Sequence, residues 1–188
     1  QSETLLDRAM GCLDQSKQGL ESVITQLSGA QEETLLSQED LFETLLPPSR
    51  CTDRRRLESN DIYAPEQSEE YASVLAEVPV IRGQAAAGRH TTAVDSSAAL
   101  LRELPEDANP HVRWSVLQLH GEALGMAGKH EAGLDILREA LLVSTSLDDE
   151  LKQFESSLAT AELRFRSEPG STAGFESLAV AQGIAERR

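Results

Sequence analysis

The chain has 188 residues, a net charge of −15 and only three lysines, Lys17, Lys129 and Lys152. That acidity excludes nucleic acid and anionic membrane surfaces as partners, because both need clustered cations. Aromatic residues make up 4%, so Leu and Ala must pack whatever core forms in one or two domains.

Residues 3–28 read as one amphipathic helix. Leu6, Leu13, Leu20 and Leu27 recur every seven positions, with Ala9 and Val23 at the second seam position. Ser16 interrupts the seam, so the stripe reads first as a helix packed on its own neighbours. A weak dimer through this helix is the second option. Residues 31–46 form a second helix, with Leu35, Leu36, Leu41, Phe42, Leu45 and Leu46 as its apolar face. Pro47 and Pro48 stop it. From 49 to 67 the chain is polar and irregular, with one helical turn expected around Leu57 and a solvated Arg54-Arg55-Arg56 run.

Cys12 and Cys51 lack the close spacing of a metal site and are too few for a disulfide framework. Both are expected to be reduced and half-buried, in a cytoplasmic protein. No run of 18 apolar residues and no signal peptide is present. The first residue is not Met and the last helix pattern has no stop signal, which reads as a fragment of a longer polypeptide.

The second half of the chain repeats itself. Ala87-Gly88-Arg89-His90 recurs 40 residues later as Ala127-Gly128-Lys129-His130. A small residue follows each Gly by five positions, Ala93 and Gly133, and then a carboxylate, Asp95 and Asp135. Ala173-Gly174-Phe175-Glu176 is a looser third copy, offset by 41 from Ala132-Gly133-Leu134-Asp135. Such a period means stacked units. Helix pairs are expected at 68–87 with 91–103, 110–127 with 130–145, and 148–166 with 172–187. Gly88 and Gly128 suit helix C-termini, and Pro105 and Pro110 bracket a loop. Ser146 or Asp148 would cap the fifth of these helices, and Ser171 or Thr172 the sixth. Pro79 inside the first should kink or restart it.

In the middle unit, Gly121, Gly133 and Ala140 form a small set, and Leu117, Leu124 and Leu137 a bulky one. This resembles the tetratricopeptide repeat, whose paired helices touch at small residues while bulky ones fill between pairs. The period of 40 or 41 exceeds the usual value of about 34. The first unit carries Ile81 where a small residue is wanted. Gly133 should mark a helix crossing, so Leu there would overpack, while Ala would gain through helix propensity.

The first 60 residues carry a second resemblance. A Gln1-Ser2-Glu3 opening, Met10-Gly11-Cys12-Leu13, then Leu46-Pro47-Pro48 and Cys51-Thr52-Asp53 occur in order. This order is similar to the connector between kinase domain and repeats in bacterial tetratricopeptide-containing serine/threonine protein kinases. The resemblance implies a cytoplasmic kinase whose catalytic domain, with its ATP and Mg, lies outside this chain. No Gly-rich phosphate loop, Val-Ala-Ile-Lys, His-Arg-Asp or Asp-Phe-Gly occurs here.

Candidate sites follow from these resemblances. No catalytic, cofactor or metal residue is assigned. His90, His111, His120 and His130 read as packed rings, and Trp114 as a packing anchor. The repeat groove implies partner contacts from Arg82, Ser115, Gln118, Glu122, Met126, Glu162 and Arg166. The expectation is an all-α fold. Residues 1–66 make an N-terminal helical pair, and 67–188 make about three antiparallel hairpins stacked as a solenoid. The expected function is protein–protein interaction or regulation serving a serine/threonine kinase. The partner would be a protein or peptide, or the chain's own kinase domain. The alternative is the sensing region of an ATPase-type transcriptional regulator.

Overall fold

A computed structural model describes residues 2–28, 48–52, 54, 57 and 71–186. Among them are seven α-helices, one 3-10 helix and no strand. The helices are α1 (Ser2–Ser28), α2 (Ala72–Ala86), α3 (His90–Glu103), α4 (Pro110–Met126), α5 (His130–Ser146), α6 (Glu150–Ser167) and α7 (Thr172–Ala185). The 3-10 helix is Pro48–Thr52. The expected second helix over 31–46 and the expected domain boundary at 66/67 lie outside the described residues. The chain divides into two compact units, Gln1–Ala93 and Val94–Arg188, and the division falls inside α3.

In the first unit, α1 packs against α2 and against the 3-10 helix. Leu5, Ala9 and Cys12 recur at helical spacing and form the inward face of α1. They meet Cys51 and Leu57. Arg54 and Leu57 are both helical, in line with the expected turn there. Arg8 Nη1 donates to the Leu57 carbonyl at 2.8 Å and ties the turn to α1. The expectation of two reduced cysteines is wrong. Cys12 and Cys51 form a disulfide across 39 residues, with Cα atoms 5.5 Å apart. Both are fully buried. Nothing in their sequence spacing marks the pair, because the tertiary approach of α1 and the 3-10 helix creates it. α2 runs through Pro79 as one continuous helix, with no restart.

The second unit is built from hairpins. α4 packs on α5, α5 on α6, and α6 on α7. Their ends follow sequence chemistry closely. Asn109 caps α4 by accepting from His111 N at 2.8 Å, and Pro110 sits in the first turn. The α4–α5 turn closes with Ala127 N bonded to Ala123 O, Gly128 N to Gly125 O and Lys129 N to Leu124 O. Gly128 is left-handed, with φ +75°. In the first unit the chain after α2 ends the same way, with Gly88 at φ +73° and the corresponding bonds from Ala87, Gly88 and Arg89.

The start of α6 departs from expectation. Asp149 is the cap, accepting from Leu151 N and Lys152 N at 3.1 Å each. Ser146 instead donates to Val143 O, and Asp148 takes a left-handed φ of 52°. Ser171 stands at the α7 cap position, but its side chain makes no cap hydrogen bond.

Two clusters lie within the core of this unit. Trp114, Leu117 and Ala140 are joined by Leu101, Ile136 and Val143. Leu134, Leu137 and Leu163 are joined by Ala159. All of Gly121, Gly133, Ala140, Leu117, Leu124 and Leu137 are buried. A Cβ on Gly133 would lie 2.9 Å from Gly121 O and 2.8 Å from Leu163 Cδ2. The backbones of α4 and α5 therefore nearly touch, and the expected gain from Ala at Gly133 is overturned: even a methyl meets a carbonyl. In α7, Gly174 repeats the device, since its Cβ would lie 2.7 Å from the Phe165 ring.

Candidate functional site

A shallow pocket of about 40 Å³ lies on α4, α5 and α6 of the second unit. Its floor is small or apolar: Gly125, Leu137, Ala159 and Leu163. Gly125 gives the Leu163 side chain room, since a Cβ there would sit 2.8 Å from Leu163 Cδ1. The rim is polar and charged: Glu122, Glu162 and Arg166, with the exposed thioether of Met126. Spacing explains the convergence. Glu122 and Met126 are four apart on α4, and Glu162 and Arg166 four apart on α6, so each pair shares one helix face. Four of the seven residues expected in the groove thus line one pocket.

The other three are placed differently. Gln118 is buried, and so is Ser115, whose hydroxyl donates to His111 O at 3.0 Å. Neither offers a surface contact. Arg82 belongs to the first unit and is half-buried there.

Gln118 instead acts on the pocket through a rim residue, Glu122. The Trp114 indole N–H donates to Ser156 Oγ at 2.9 Å. The Ser156 hydroxyl donates to Gln118 Oε1 at 3.0 Å. The Gln118 amide nitrogen then donates to Glu122 Oε1 at 2.7 Å. This chain runs from the α4–α6 contact to the pocket rim and fixes the orientation of the Glu122 carboxylate. Sequence reasoning missed Ser156 entirely. Its only signal is a small hydroxyl on the inward face of α6, which becomes meaningful once Trp114 is seen to need a partner for its N–H.

Lys152 stands at the other end of the chain. Its Nζ lies 5.4 Å from the centroid of the Trp114 ring and pairs with Asp149. Both side chains of the pair are almost wholly buried, 6% and 8% exposed. Burial pushes the Asp149 carboxyl up. The hydrogen bonds and charge of Lys152, with the charge of His111, more than offset this and hold it below the usual carboxylate range. His120 Nδ1 lies 2.9 Å from Ser97 Oγ. Burial, then the Lys129 charge, lowers its ring below the ordinary histidine range.

Among the described residues, no three His, Cys, Asp or Glu side chains converge on a metal site. No described helix is long and apolar enough to cross a membrane. Comparisons with protein-family models, with curated proteins and with solved structures find no match to this chain.

Proposed function

We propose that this chain is a non-catalytic interaction region, and that the pocket formed by α4, α5 and α6 receives a protein or peptide partner. The observation that carries this reading is the convergence of Glu122, Met126, Glu162 and Arg166 around an apolar floor. An apolar base with a few placed polar groups is the ordinary makeup of a binding site. Met126 adds an adaptable contact. The repeated hairpins and their glycine crossings favour a tetratricopeptide-like stack, which would extend the pocket into a concave surface. The kinase assignment rests on the order of motifs in the first 60 residues alone. The cytoplasmic placement that goes with it has the Cys12–Cys51 disulfide against it, since such bonds persist in oxidising compartments.

Replacing Glu122, Met126, Glu162 and Arg166 together by Ala tests the site. The variant should keep its melting temperature and lose the partners that the unaltered chain retains in a pull-down. Undiminished recovery of the same partners would sink the assignment. Reading the coding sequence just before Gln1 separates the two parents: a kinase C-lobe favours the kinase, a nucleotide-binding domain the transcriptional regulator.

A further inference from the structure

The α1 helix shows large apolar side chains to solvent in a strict order. Leu6 is 61% exposed, Met10 51%, Leu13 40%, Leu20 46% and Ile24 53%. With Lys17 included, the positions 6, 10, 13, 17, 20 and 24 step by four and three alternately, which is the seam of a coiled coil. This seam differs from the one expected from sequence, because Ala9 belongs to the inward face with Cys12. The exposed stripe is turned by about 100° from that inward face and runs for about 27 Å.

We propose that two copies of this chain associate through α1 as a parallel two-stranded coiled coil. Four observations name a second copy in that orientation. Leu occupies one seam position throughout (Leu6, Leu13, Leu20), and Met10 and Ile24 the other, a pattern suited to two strands. One Lys interrupts the seam, a device that selects oligomer state and register at a cost in stability. Lys17 Nζ lies 3.8 Å from Glu21 Oε1 of its own helix, so two facing lysines each bring a compensating carboxylate. Finally, the residues flanking the Leu positions, Asp7, Asp14 and Glu21, are all acidic and exposed. An antiparallel pair would set this acidic row against itself. A parallel pair does not set this acidic row against itself.

Three heptads bury less than the ~800 Å² per partner of a standard interface, so the expected dimer is a weak, reversible one. Sedimentation equilibrium of the full chain between 1 and 100 µM should therefore show a monomer–dimer equilibrium. Leu13→Glu with Leu20→Glu should leave a monomer of unchanged helicity, since neither side chain belongs to the fold's interior. Lys17→Ile should tighten association at least tenfold. Spin labels at Glu3 should lie within about 20 Å of each other in a parallel pair, against about 37 Å in an antiparallel one. A monomer at 100 µM, a dimer that survives both Glu substitutions, or the longer distance would each overturn the proposal.

Discussion

The two units of this chain reach stability by opposite routes. The first unit fastens one buried cluster, Cys12, Cys51 and Leu57 with Leu5 and Ala9, with a covalent bond, beside other buried residues such as Leu75 and Ile81. It leaves the large apolar side chains of α1 in solvent. The second unit has no cysteine. It brings α4 and α5 so close that a Cβ on Gly133 would meet the Gly121 carbonyl, and it ties Trp114, Ser156 and Gln118 into one buried hydrogen-bonded chain and Lys152 and Asp149 into a buried pair. In the first unit a cross-link supplies stability by restricting the unfolded chain. Where backbones approach closely, packing density supplies it.

The largest effect should come from the buried ion pair. Lys152→Ala leaves Asp149 buried without its counter-charge, and breaking such a pair costs about 3–5 kcal/mol. Trp114 is the only tryptophan and lies in the second unit, so its fluorescence in a urea titration reports this unit alone. A loss below about 1 kcal/mol would mean that the pair is solvated. Removing the disulfide should act on the other side of the comparison. For Cys12→Ser with Cys51→Ser, closing a 39-residue loop predicts a loss of about 3–4 kcal/mol. Amides of α1 and α2 should exchange faster, while the Trp114 transition stays put. An equal shift at Trp114 would show that the two units unfold as one.

Glycine substitutions sharpen the packing half of the contrast. Gly133→Ala should lose about 1–3 kcal/mol, because its methyl meets Gly121 O, and that outweighs the gain of about 1 kcal/mol from helix propensity. Gly183 is the control. A Cβ there meets nothing within 4 Å, so Gly183→Ala should stabilise by about 0.5–1 kcal/mol. If both substitutions stabilise, the close approach of α4 and α5 is wrong.

Much of this architecture was legible because the chain punctuates its helices. Gly88, Gly128 and Pro110 mark ends by backbone chemistry that needs no tertiary context. The small and bulky sets of the middle unit were readable for the same reason, since their spacing matches two crossing helices. Three things were not legible. The disulfide depends on where α1 and the 3-10 helix meet, which sequence separation does not encode. Asp149 competes with Ser146 and Asp148 as a cap, and only the turn geometry chooses among them. Gln118 and Ser115 look like surface residues on a helical wheel. Both are buried, and Ser156 of α6 donates to the Gln118 amide oxygen.

The smallest effect concerns that same α5–α6 turn. Its hydrogen bonds run from Leu147 N to Val143 O, Asp148 N to Thr145 O and Asp149 N to Ser144 O. They reproduce, position for position, the turns that carry Gly88 and Gly128. Here the left-handed position is occupied by Asp148, at φ 52°. A side chain in that conformation costs roughly 1 kcal/mol, less for Asp than for most residues. Asp148→Gly also adds freedom to the unfolded chain, which takes back part of the gain. The net expectation is a stabilisation of about 0.5 kcal/mol, seen as a small rise in the Trp114 midpoint with no change at α1. A clear destabilisation would mean that the Asp148 carboxylate contributes something the backbone pattern does not contain.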